Sequence, residues 1–168
     1  MQKKILYVDM DNVLVDFQSG IDQFNEEVLA EYDERYDEIP GIFGKMKPLK
    51  DAIESYKELN ELFDTYILST SPWENETALV DKLKWVKKYL GEVAYKRVIF
   101  SHHKNLNKGD FLIDDRDKNG VKGFKGKHLH FGKGKNFPEW SSVVQYLKKE
   151  AQEVKAPSPL TFELAKTN

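Results

Sequence analysis

Two pairs of carboxylates carry the strongest chemical signal in this sequence. Asp9 and Asp11 stand two apart in Val8-Asp9-Met10-Asp11-Asn12-Val13-Leu14, directly after the apolar run 4–8. Asp114 and Asp115 close a second run, Phe111-Leu112-Ile113, and precede Arg116. Residues two apart on extended chain point the same way. Carboxylates leaving the carboxyl ends of buried parallel strands stand where such sheets bind ligands. Acids held together repel and lose solvation unless a proton or a cation lies between them. A hard cation that takes oxygen ligands, Mg²⁺ above all, resolves the conflict. Either pair alone could serve as a helix cap or a solvated turn, with Asp115 paired to Arg116. Their joint occurrence points to a metal, because converging acids cost stability that a fold has no other reason to lose.

Two further strand ends add weaker signals. After the run 63–68 comes Ser69-Thr70-Ser71-Pro72-Trp73. Hydroxyls and free N–H groups at a strand-to-helix junction suit phosphate oxygens, although the commoner use of Ser or Thr there is a helix cap. After the run 97–100 comes Ser101-His102-His103-Lys104. A lysine at that position could neutralise a transferring phosphoryl group; alone it is a surface lysine.

The elements that must position these residues alternate. Strand-like runs at 4–8, 63–68, 97–100, 111–113 and 127–131 are separated by helical patterns at 51–62 and 75–90. In the second helix the spacing predicts an inward face of Leu79, Val80, Leu83, Val86, Tyr89 and Leu90, stopped by Gly91. A last helix is expected from about Asn136-Phe137-Pro138, with Trp140, Val143, Val144, Leu147 and Ala151 inward. Strand–helix alternation predicts an α/β fold with a parallel sheet and helices on both faces. The stretch 17–48 breaks the rhythm, with one helical pattern over 21–32, acidic residues and a Pro40-Gly41 turn. It is expected to be a small helical cap inserted between core segments 1–16 and 49–155. The tail 156–168 has little periodicity and is expected to be a surface extension.

Composition narrows the function classes. The chain has 168 residues, 26 Lys+Arg against 28 Asp+Glu, and no cysteine. Disulfides, thiolate metal sites and cysteine nucleophiles are therefore excluded. A net charge of −2 argues against a nucleic-acid polymer as partner. No apolar run is long enough to span a membrane, and no signal-peptide pattern opens the sequence, so a cytoplasmic location is expected. The lysines at 118, 122, 125, 127, 133 and 135 read as a solvated face. His128 and His130 read as a packed or surface pair with no evident partner ligand, and Gly132-Lys133-Gly134 lacks the setting of a dinucleotide fingerprint.

An Asp-x-Asp after the first strand, a Ser/Thr after the second, a lysine and a terminal acidic pair, in this order, resemble the haloacid dehalogenase superfamily of phosphatases. The segments Val8–Phe17, Thr70-Ser71-Pro72-Trp73 and Gly109–Arg116 look like its 5′(3′)-deoxyribonucleotidase family in the short bacterial form. The resemblance implies a Mg²⁺-dependent phosphomonoesterase acting on deoxyribonucleoside monophosphates. Carried over by motif, Asp9 would be the nucleophile that becomes an aspartyl phosphate, and Asp11 the general acid and base. Asp9, the Asp11 main-chain carbonyl, Asp115 and, less directly, Asp114 would hold the Mg²⁺. Thr70, Ser71 and Lys104 would bind the phosphoryl group. Phe17, Ile42, Phe43 and Trp73 would contact sugar and base, their alternative use being packing between cap and core. The implied partner is a small nucleotide substrate, with a homodimer among the assemblies to be expected.

Departures from the family pattern leave base preference open. Glu74 stands where some relatives have a basic residue, Asn12 where many have glycine, and His102-His103-Lys104 where animal relatives have Arg-Asp-Lys. Two rivals also remain: a phosphatase of the same fold for another small metabolite, such as a sugar phosphate, and a receiver-like module that accepts a phosphoryl group without turnover. The inserted segment and the position of the Asp-x-Asp speak against the second.

Overall fold

The computed structural model describes residues 2–153; the expected tail lies outside the described residues. Five strands, β1 (Ile5–Val8), β4 (Asp64–Ser69), β5 (Val98–Phe100), β6 (Phe111–Asp114) and β7 (Lys127–His130), form one parallel sheet in the order β5-β4-β1-β6-β7. β1 is therefore central, paired with β4 from Ile5↔Asp64 to Val8↔Ile67 and with β6 from Leu6↔Phe111 to Val8↔Ile113. This register brings the ends of β1 and β6, and so both acidic pairs, side by side.

Alternation along the strands separates two cores. Leu6, Val8, Ile67, Ile113 and Leu129 face the larger one, built with α4 (Ala52–Leu62), α5 (Ala78–Tyr89) and α6 (Trp140–Glu153). Tyr7, Leu68 and Leu112 face the smaller one, closed by Val121 and Phe124 of a short 3₁₀ turn, Val121–Gly123, and its exit. The β5–β6 and β6–β7 connections are too short for full helices and carry 3₁₀ turns instead. Among the described residues no helix is long and apolar enough to cross a membrane.

The segment between β1 and α4 begins and ends in a two-stranded antiparallel ribbon, β2 (Val15–Asp16) with β3 (Lys47–Pro48). Between them lie α1 (Phe17–Ile21), α2 (Glu26–Glu31), a 3₁₀ turn Tyr36–Glu38 and α3 (Ile42–Lys45). Of the single helix expected over 21–32, only Glu26–Glu31 forms as α2, and a separate α1 ends at Ile21. Asn25 ends the continuity because its side chain accepts from Val28 N at 3.0 Å and starts α2 as an N-cap.

Two other helical expectations need correction. The last helix begins at Trp140, not near Asn136, because Phe137 is held in a bridge with Phe131 that leaves Pro138 outside the helix. On α5 the inward face is Ala78, Lys82, Trp85 and Val86, whereas Leu79, Val80 and Leu83 are exposed. The helix is turned so that Lys82 meets polar groups inside and the Trp85 indole N–H reaches Met46 O at 3.0 Å.

Candidate active site

The loop after β1 is a tight coil. Leu14 N and Val15 N both donate to Met10 O at 2.9 Å, and Asn12 adopts the left-handed conformation with φ 55°. That coil leaves the Asp9 side chain beside the end of β6 and the Asp11 side chain against Lys82 near the end of β4. One carboxylate oxygen from each of Asp9, Asp114 and Asp115 lies within 4.8 Å of the others. All three donors are hard oxygens, the kind a Mg²⁺ site uses. Among the described residues Asp115 Oδ1 is buried without a hydrogen-bond partner, the Arg116 Nε lying 3.7 Å away, so it keeps a lone pair that a cation could take.

Lys104 is buried and places its Nζ 3.0 Å from Asp9 Oδ1 and 2.5 Å from Asp114 Oδ2. Its own position is set by Lys104 N donating to Asn119 O at 2.8 Å. Gly120 makes that approach feasible: its φ is +84°, and a Cβ there would lie 3.0 Å from Lys104 N and 2.1 Å from Asn105 Oδ1. Thr70, at the end of β4, donates its hydroxyl to Ser101 O at 2.8 Å and lines the site.

Sequence reasoning missed Lys82. It is fully buried on α5, and its Nζ donates to Asp11 Oδ2 at 2.8 Å, Ser69 Oγ at 3.0 Å and Thr70 O at 2.7 Å. The Phe43 ring covers the same ammonium with its centroid 4.5 Å away. The signal was present as one lysine on the otherwise apolar stripe Ala78, Trp85, Val86. The partner of the two histidines was missed as well. His128 Nε2 lies 3.0 Å from Asp114 O and His130 Nε2 lies 2.9 Å from Asp115 O. A carbonyl only accepts, so both rings carry their proton on Nε2.

Burial shifts the acids upward. It raises the Asp11 carboxyl above the usual carboxylate range, with the Lys82 ammonium opposing and the Asp9 charge adding to the rise. Asp114 is pushed up to about 7, first by burial and then by Asp9, against the pull of Lys104. Asp115 also rises, through burial and the Asp9 charge, with Arg116 opposing.

A cavity of about 440 Å³ opens in front of the acids. Its core wall includes Asp11, Thr70, Arg116 and Lys118, and its outer wall includes Phe17, Tyr36 and Trp73. A small hollow lined by Asp9, Asp11, Thr70, Lys104 and Asp114 lies at its inner end and shares Asp11, Thr70, Arg116, Lys118 and Asn119 with it. Asp9, Asp11, Asp114, Asp115, Thr70 and Lys104 therefore come together. Phe17 and Trp73 line the cavity, Trp73 being 83% exposed. Ile42 and Phe43 are buried at 0% and 2% and do not line it; Phe43 backs Phe17, with ring centroids 6.0 Å apart. Ser71 faces a neighbouring hollow beside Trp73 and not the one between the acids.

Sheet order, strand-end acids and buried lysine are those of the haloacid dehalogenase-like fold. Solved structures agree at the level of fold. A dehalogenase crystallised with an intermediate matches with TM-score 0.57 at 15% identity, over 89% of this chain and 97% of that one. A haloacid dehalogenase-like family protein from Streptococcus pneumoniae matches with TM-score 0.52 at 15% identity, over 86% and 90%. Residues 22–139 match the family model described as 5′ nucleotidase, deoxy (Pyrimidine), cytosolic type C protein. A protein of Vibrio phage KVP40 that bears the name 5′(3′)-deoxyribonucleotidase is 58% identical over 148 residues, 88% of this chain and 86% of its own length. The human cytosolic 5′(3′)-deoxyribonucleotidase is 30% identical over 139 residues, 66% of this chain and 69% of its own. The chain belongs to the 5′(3′)-deoxyribonucleotidase family of the haloacid dehalogenase superfamily.

Proposed function

We propose that this member of a family of phosphoric monoester hydrolases is a Mg²⁺-dependent phosphatase of deoxyribonucleoside monophosphates, 5′-phosphates foremost, working through an aspartyl phosphate on Asp9. The observation that carries the reading is the meeting of Asp9, Asp11, Thr70, Lys104 and Asp114 around a small hollow that opens into a nucleotide-sized cavity. Carboxylates of Asp9, Asp114 and Asp115, with the Asp11 main-chain carbonyl, would hold the Mg²⁺. When bound, the ion supplies the positive charge that lets a carboxylate approach a phosphate dianion.

Asp9 attacks phosphorus and forms an acyl phosphate while the bond to the nucleoside oxygen breaks. Asp11 gives a proton to that leaving oxygen; burial, which raises its carboxyl, eases its protonation against the opposing Lys82 ammonium. The resulting Asp11 carboxylate takes a proton from water. The water oxygen attacks phosphorus, inorganic phosphate leaves and Asp9 is restored. Lys104, already 3.0 Å from Asp9, offsets the charge on the phosphoryl oxygens. The Thr70 hydroxyl swings from Ser101 O to donate to one of them. Segment 17–48 acts as a cap that excludes bulk water. Phe17 and Trp73 contact the leaving nucleoside, and Ile42 and Phe43 support that wall from behind.

A panel of phosphomonoesters compared by kcat/KM tests the reading. Multiple turnover is expected that is lost in EDTA and restored by Mg²⁺. Deoxyribonucleotides should lead sugar phosphates by more than about tenfold, or ~1.4 kcal/mol; a smaller margin favours another metabolite. Asp9→Asn should abolish turnover with the fold intact, and Asp11→Asn should accumulate phosphoprotein. Stable wild-type phosphoprotein without turnover would replace the hydrolase with a phosphoryl acceptor.

A further inference from the structure

Strand β7 makes no part of the cavity, yet its side chains reach the acids. The register pairs Asp114 with His130, and the last main-chain rung is Phe131 N donating to Asp114 O at 3.0 Å. Beyond that rung Phe131 turns away into its bridge with Phe137. The main chain of β7 therefore no longer supports Asp115.

The two histidines take over at this point. Positions 128 and 130 share one face of the strand, and their ring centroids lie 5.0 Å apart with planes tilted by 32°. His128 Nε2 donates to Asp114 O and so occupies that carbonyl's second lone pair. His130 Nε2 donates to Asp115 O at 2.9 Å and supplies the rung that the main chain omits. The side chains of the same acids have other partners: Arg116 N donates to Asp114 Oδ1 at 3.0 Å and Lys104 Nζ to Asp114 Oδ2, while Asp115 has Asn12 Nδ2 3.4 Å from Oδ2 and Arg116 Nε 3.7 Å from Oδ1. The 3.4 Å contact is long. The main-chain anchor from His130 thus fixes where the Asp115 carboxylate can sit.

We infer that His128 and His130 are positioning residues for the cation site, and that they set its affinity by holding the Asp114–Asp115 backbone as a side-chain extension of the β6–β7 ladder. Neither ring touches the cation or the substrate. Groups that orient metal ligands in this indirect way typically change affinity by about 10–100-fold when removed. His130 should matter more, because Asp114 keeps its main-chain rung and its bonds from Lys104 and Arg116, whereas among the described residues the Asp115 carbonyl has the ring alone.

The inference rests on the metal reading above, and the experiment separates the two. Mn²⁺ is titrated into wild type, His130→Leu, His130→Gln and His128→Leu, and free ion is counted by electron paramagnetic resonance. Circular dichroism and thermal melting verify each fold. A glutamine amide reaches close to the position of Nε2 and can donate the same bond. The expected result is Mn²⁺ binding weakened about tenfold or more in His130→Leu, restored to within about threefold in His130→Gln, and less affected in His128→Leu. Leucine and wild type binding equally, or glutamine losing as much as leucine in a folded protein, overturns the inference. Wild type that binds no Mn²⁺ overturns the metal reading itself.

Discussion

Removing the Lys82 ammonium tests how Asp11, the proposed acid/base group, is held. Lys82→Met keeps most of the stem and its packing against Phe43, and deletes the hydrogen bonds to Asp11 Oδ2, Ser69 Oγ and Thr70 O. It strands a buried carboxylate whose other oxygen, Asp11 Oδ1, already has no partner. Breaking a buried ion pair from one side costs about 3–5 kcal/mol. For a domain of this size that lowers Tm by roughly 10 °C. Asp11→Asn removes the carboxylate and with it most of the penalty for being stranded. The double variant should therefore be more stable than the sum of the single losses predicts, by about 2 kcal/mol. Urea unfolding of wild type, both single variants and the double variant, all metal-free at neutral pH, closes the cycle. Additivity within about 0.5 kcal/mol would refute the coupling and make Lys82 a packing residue.

The pH dependence of the metal-free protein should follow the raised acids. Asp114 titrates near 7 when folded and near 3.8 when unfolded, so between those values the folded chain binds the extra proton. Its contribution to stability is present at low pH and is lost as pH rises through 7. The Tm advantage of wild type over Asp114→Asn should accordingly be larger at pH 5 than at pH 8, and a flat or reversed difference would contradict the desolvation account. Phe43 and Trp73 should divide by burial. Phe43→Ala should cost about 3–5 kcal/mol of stability. Trp73→Ala should stay within about 0.5 kcal/mol of wild type in stability while raising KM for nucleotides.

What the sequence made legible was whatever local pattern dictates. Asp9, Asp11, Asp114 and Asp115 follow runs whose buried character is visible, and strand-end placement does the rest. Strand-end placement alone left Lys104 as a surface lysine and Thr70 as a cap candidate, and the family resemblance brought both to the site. Lys82 was missed, because a helical face was assigned by counting apolar residues. The fold instead exposed Leu79, Val80 and Leu83 and turned a lysine inward, where a tertiary partner 71 positions away in sequence makes its burial favourable. The histidines failed for a related reason: their acceptors are main-chain carbonyls, which leave no trace in residue identity. Ile42 and Phe43 were legible as apolar residues of the inserted segment, but not as members of the core behind the cavity wall. Of the helix expected over 21–32 only α2 forms, started by one asparagine whose capping role depends on the chain path around it.

Helix α5 and the residues at its start join two tasks. Around its start, Asn75 donates to Asp37 O and Ile39 O, and Thr77 Oγ1 accepts from Gly41 N; further along, Trp85 donates to Met46 O. All four bonds secure the insert, and on the same helix Lys82 secures Asp11. Replacing segment 17–48 to recruit a new substrate would loosen the mount of Asp11, the proposed proton donor, at the same time. A transplant of 17–48 from a relative should therefore carry residues 75–85 with it, so that the chimera trades specificity without surrendering its catalytic alignment.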